Sequence, residues 1–75
     1  MKRFEEGRSY RAYDGLCGYV TVEKRTDAMV HVETMDGDKL RMKVHTDENG
    51  NEYAFKPRVP EEDRFMRSYR AELDI

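Results

Sequence analysis

Seventy-five residues suit one domain, spanning 1–75, and argue against a deep enzyme cleft, because a chain this short buries only about 60% of its unfolded surface. Charged residues make up 40% and hydrophobic ones 37%, and the formal net charge of -2 excludes both a global basic field for nucleic acid and an acidic tail. Cys17 is the only cysteine, which excludes an intrachain disulfide and a cysteine-based zinc cluster and points to a reducing compartment.

Met1-Lys2-Arg3 is followed by charged rather than apolar residues, and the longest apolar runs fall far short of a membrane span. The expectation is a soluble, cytoplasmic protein without membrane contact. Phe4, Gly7 and Tyr10 suit a bend leading into a first strand over residues 8–13. Asp14-Gly15 breaks it, and a second strand follows over 16–25, with Gly18 marking a bulge or a close backbone approach.

The stretch 20–45 is the most regular in the chain. Val20, Val22, Val30, Val32, Leu40, Met42 and Val44 recur at period two across three runs broken by Thr26-Asp27 and Asp36-Gly37, the pattern of half-buried strands in a meander. Setting Val22 opposite Val32 requires an odd-length loop, Thr26-Asp27-Ala28, and the same logic gives a loop Met35-Asp36-Gly37 with glycine at the left-handed position. On the outer face this register predicts three rows: Glu23, His31 and Arg41; Thr21, Glu33 and Lys39; Arg25, Met29 and Lys43. The first two pair opposite charges, and the third is basic.

Asp47-Glu48-Asn49-Gly50-Asn51 reads as a hairpin turn, and a two-residue or a four-residue loop would each turn Tyr53 and Phe55 inward. Pro57 ends the next strand, and 56–60 is an extended connector. The tail has two readings. Pro60 and the acidic Glu61-Glu62-Asp63 suit the start of a helix over 61–72 with Phe65, Met66, Tyr69 and Leu73 on one face. Alternatively, the repeat of RSYRA at 8–12 and 67–71 suits a helical turn followed by an edge strand that returns beside the first. The second reading predicts a mainly β fold, a small antiparallel SH3-like barrel of five to six strands with one short helical element near the C-terminus, whose closure protects the strand edges. The alternative is an α+β fold, an antiparallel sheet covered by a C-terminal helix.

The runs VTVEKRT, DGDKLRMKV and DENGNEY, with Phe4, Gly7 and Tyr10 at the start and Tyr69, Arg70 and Ala71 near the end, resemble short uncharacterised proteins of mobile genetic elements from gut-dwelling Gram-positive bacteria. The resemblance implies a compact, mainly β accessory protein and transfers no catalytic residue.

His31, His45 and Cys17 are the soft potential metal ligands, and their spacing matches no zinc motif. Ser9, Ser68 and Cys17 lack the motifs of activated nucleophiles. The oxygen-rich run 47–52 lacks the alternation and distant glutamate of a calcium loop. The expectation is therefore a non-enzymatic interaction module with no cofactor. Two partner classes compete. A protein partner would use exposed strand edges with Met29, Met35, Tyr13 and Tyr19. Nucleic acid would use a basic cluster, Lys24, Arg25, Arg41, Lys43 and His45, with Tyr19 as a stacking group. The reading favours protein and leaves self-association open. Binding to phosphates should weaken steeply with salt, whereas an apolar contact should not.

Overall fold

The structure, a computed structural model, describes residues 1–75. Alternating β-branched residues set the strands, because such side chains fit a pleated, half-buried surface. The strands are β1 (Ser9–Ala12), β2 (Tyr19–Arg25), β3 (Met29–Thr34), β4 (Lys39–Lys43), β5 (His45–Thr46), β6 (Glu52–Ala54) and β7 (Tyr69–Asp74). They form one antiparallel seven-stranded sheet in the order β4-β3-β2-β1-β7-β6-β5. β4 and β5, at its two ends, are successive segments of a single chain run divided at Val44, whose N–H donates to Ala28 O at 2.8 Å. The two ends of the sheet therefore meet in one stretch of backbone, and the sheet curls into a nearly closed barrel.

Seven strands replace the expected five to six, because this run splits where it passes from one end of the sheet to the other. The α+β alternative is overturned: residues 61–72 hold a 3₁₀ turn, Glu61–Asp63, and most of β7, and no α-helix forms. The first strand is shorter than 8–13. Leu16 lies not in a strand but in a second 3₁₀ turn, Gly15–Cys17, because the Asp14 carboxylate accepts the Leu16 N–H at 2.9 Å and caps it. Inside the barrel lie Phe4, Tyr10, Ala12, Val20, Val22, Val30, Val32, Met42, Ala54, Tyr69 and Ala71.

The hairpin loops fix which residues face inward. Between β3 and β4 the loop is Met35-Asp36-Gly37, as the sequence predicts: Thr34 N donates to Asp38 O, Gly37 N donates to Thr34 O, and Gly37 has φ 89°. The turn after β5 takes the same form, which the even-length expectation missed. Asp47 N donates to Asn51 O, Gly50 has φ 82°, and the Asp47 carboxylate accepts the N–H groups of Asn49 and Asn51, both at 2.9 Å. Glu48-Asn49-Gly50 is thus a three-residue loop. Its odd length reverses the parity of β6, so Glu52 and Ala54 are buried while Tyr53 and Phe55 face outward.

β2 carries a second departure. Val22 opposes Val32 as expected, but a bulge at Glu23 sets Lys24 against His31 and Arg25 against Val30. The row of Thr21, Glu33 and Lys39 holds; the row of Glu23, His31 and Arg41 becomes Lys24, His31 and Arg41; and Arg25 leaves Met29 and Lys43. The extra residue reverses the alternation, so the Arg25 side chain turns toward the barrel end instead of joining the outer face.

There Arg25 meets Glu52. Arg25 Nη1 lies 2.5 Å and Nη2 3.2 Å from the two carboxylate oxygens; Phe4 N donates to Glu52 Oε1 at 2.8 Å, and Arg25 Nη1 also donates to Phe4 O at 3.1 Å. The Phe4 ring, held by this bridge, packs edge-on against Tyr10 at 4.9 Å. Burial alone would push the Glu52 carboxyl up, but the Arg25 and Phe4 hydrogen bonds and the charges of Arg25 and Arg3 outweigh it and hold the group below its ordinary value.

Gly37→Ala is expected to cost about 1 to 3 kcal/mol in urea unfolding. A Cβ there meets nothing within 4 Å, so strain at positive φ is the whole cause, and Gly37→Asn should lose less. Because the folded Glu52 pKa is depressed, its contribution is present above the unfolded value near 4.5 and is lost as pH falls through the folded value. Wild-type stability should therefore decline below about pH 4.5, whereas Glu52→Gln, which leaves the half-buried Arg25 without its ion-pair partner, should lose about 3 kcal/mol at neutral pH and show a flatter acid limb.

Candidate functional site

The outward turn of Tyr53 and Phe55 opens a groove across β5, β6 and β7. His45 opposes Tyr53, and Tyr53 opposes Arg70. The His45 ring stacks on Phe55 at 5.0 Å and on Tyr53 at 5.3 Å. Tyr13 N donates to Ser68 O and Asp14 N to Met66 O, which ties the segment after the 3₁₀ turn Glu61–Asp63 to the end of β1 and brings the Phe65 ring within 4.7 Å of Tyr13. The result is a concave surface of about 700 Å³ with five aromatic rings: Tyr13, His45, Tyr53, Phe55 and Phe65.

Two arginines lie among the rings. Arg64 Cζ sits 5.1 Å from the Phe55 centroid, while Arg70, only 8% exposed, has Cζ at 4.8 Å from Phe65, 5.0 Å from Tyr53 and 5.9 Å from Tyr13. Arg70 Nε is buried without a hydrogen-bond partner, and Nη1 lies 3.5 Å from Asp47 Oδ2. Ring faces surround this guanidinium where oxygen acceptors would usually stand, holding it by cation–π attraction. Burial, with Lys43 and Arg64 nearby, pushes the His45 pKa down, so the imidazole is neutral at pH 7 and serves as a flat ring. Four carboxylates, Asp47, Glu48, Glu61 and Glu72, also line the groove. Glu48, Glu61 and Glu72 form no ion pair.

The residues of the predicted basic cluster separate. Lys24 and Arg41 flank His31 in one row, and Lys43 opposes Met29. Arg25 is committed to Glu52, and His45 belongs to the groove. Tyr19, 41% exposed, opposes Arg11. It is five residues from Lys24 along β2, roughly 16 Å at about 3.3 Å per residue, too far to stack a base between the same phosphate contacts. Lys39, Arg41 and Lys43 share a strand at one end of the sheet, where basic side chains blunt edge-to-edge pairing. Cys17 is half-buried, and its carbonyl accepts the Tyr69 hydroxyl at 3.2 Å; His31 and His45 lie in different places, one in the basic row and one in the groove.

Sequence reasoning missed the groove because it placed Tyr53 and Phe55 in the core. The signal is Gly50, which stands third in its loop as Gly37 does in the loop between β3 and β4. No family model matches the chain, and no curated protein or solved structure matches it either.

Arg70→Ala is expected to destabilise the protein by about 1 to 3 kcal/mol, because it removes a desolvated cation from three rings. Arg70→Lys should recover only part of this, since an ammonium cannot lie flat against several rings. Urea unfolding of both variants checks the order.

Proposed function

We propose that this protein is a non-enzymatic interaction module, an SH3-like small barrel that docks a protein segment in the groove of Tyr13, Tyr53, Phe55 and Phe65. The observation that carries this reading is the position of the rings. Tyr13 and Phe65 remain 51% and 56% exposed although they touch each other and Arg70. Aromatic groups left open to water in one concavity, with charged groups at the margin, have the composition of a protein-binding patch. A reducing, cytoplasmic setting suits the free thiol of Cys17. On the residues that carry the resemblance, its biological setting is that of mobile-element accessory proteins.

Nucleic acid is the second reading, and the row of Lys24, His31 and Arg41 with nearby Lys43 supports it. None of Lys24, Arg41 and Lys43 is in an ion pair. The row lacks a neighbouring aromatic of the predicted kind, which weakens it relative to the groove.

A displayed library of random peptides, selected on the wild-type protein and counter-screened on the Tyr13→Ala/Phe65→Ala variant, tests the docking reading. Both side chains are half exposed, so the variant should keep its fold, as amide NMR dispersion will verify. Enriched peptides should lose at least about tenfold in affinity for the variant, a change of about 1.4 kcal/mol. No enrichment, or equal binding to the variant, overturns the reading. Amide shifts at residues 24, 31, 41 and 43 on adding short single-stranded DNA or RNA, fading with salt, would assign the function to the basic row instead.

A further inference from the structure

The groove's charge points to what it holds. Its lining sets four carboxylates, Asp47, Glu48, Glu61 and Glu72, against two guanidiniums, Arg64 and Arg70, with His45 neutral. The two cations are already placed: Arg64 lies over Phe55, and Arg70 lies among Tyr53, Phe65 and Tyr13 with Asp47 as its counter-charge. Asp47 is further occupied in its own turn, where it accepts two backbone N–H groups. Glu48, Glu61 and Glu72 form no ion pair and outnumber Arg64, the one lining cation also without a carboxylate partner; they come from three separate elements: the β5–β6 loop, the 3₁₀ turn after the connector, and β7.

This arrangement disfavours an anionic occupant. A phosphate backbone or an acidic segment would enter against three carboxylates without ion-pair partners, opposed by the exposed Arg64 alone, because Arg70 is buried among ring faces and paired with Asp47. A cationic occupant meets the opposite field. Its charged heads would reach Glu48, Glu61 and Glu72, while its apolar side chains or aliphatic stems would lie on the exposed surfaces of Tyr13 and Phe65. The floor itself is continuous: Phe55, His45 and Tyr53 follow one another at centroid distances of 5.0 and 5.3 Å, and Arg70 carries the surface on to Phe65. A shallow floor of this kind suits an extended chain, whose side chains alternate between floor and rim, better than a compact small molecule that needs enclosure.

Resting on the docking reading above, we infer that the partner presents an extended, lysine- or arginine-bearing peptide segment, with apolar residues on the aromatic floor and its cations on Glu48, Glu61 and Glu72.

Three matched sets of fluorescein-labelled decapeptides test this, built from alanine, proline and leucine with arginine in one set, glutamine in the second and glutamate in the third. Fluorescence anisotropy at low and moderate salt reads affinity, and amide shifts of labelled protein read position. The arginine set should bind at least about tenfold tighter than the glutamine set, weaken with salt, and shift residues 13, 53, 55 and 65. The Glu48→Gln/Glu61→Gln/Glu72→Gln variant, altered only at carboxylates without ion-pair partners, should lose that preference while its glutamine-set binding stays the same. Equal or tighter binding of the glutamine or glutamate set, or an unchanged preference in the triple variant, overturns the inference while leaving groove docking intact. Binding of none of the three sets also overturns it, and the docking reading then stands or falls on the displayed-peptide selection.

Discussion

A carboxylate buried at the end of so small a barrel is costly unless its oxygens are engaged, and Glu52 engages both. It receives the Arg25 guanidinium on two oxygens and the Phe4 N–H on one, and through them it joins the end of β2, the start of β6 and the N-terminal segment. The backbone supports the same junction: Glu52 N donates to Lys2 O, and Lys2 N donates to the Asn51 side chain. These contacts lie far apart in sequence, so their net effect is to close the barrel against the loop-closure entropy that non-local contacts must overcome.

Two irregularities make that junction possible. The bulge at Glu23 turns Arg25 toward the barrel end, and the three-residue loop Glu48-Asn49-Gly50 turns Glu52 inward. Either alone would leave a charge without its partner at the barrel end. The same loop parity has a second effect on the opposite face of β6, where it sends Tyr53 and Phe55 outward beside His45 and Arg70. The ion pair that closes the barrel and the groove offered as its docking surface thus share one structural origin.

Charge is likewise divided by the fold. The basic groups of β4 lie at one end of the sheet, and Lys39 is paired to Glu23 at 3.0 Å, while the groove collects carboxylates in excess of arginines. A net charge of -2 conceals this separation. It arises because the curled sheet brings Glu48, Glu61 and Glu72 together from segments distant in the chain.

The sequence by itself determined the meander. Alternating valines specified β2 and β3, and Gly37 specified the loop between β3 and β4, because period-two burial and positive φ are local properties; the RSYRA repeat anticipated the return of β7 beside β1, but as interior strands of the sheet and not as edges. The parity of β6, the bulge in β2 and the grouping of aromatic rings with Arg70 were decided only in the tertiary structure. Asn49-Gly50 is compatible with loops of more than one length, and a bulge leaves no local sign in VEKR. The pairing that both irregularities permit, Arg25 with Glu52, joins residues 27 apart, which no local pattern encodes.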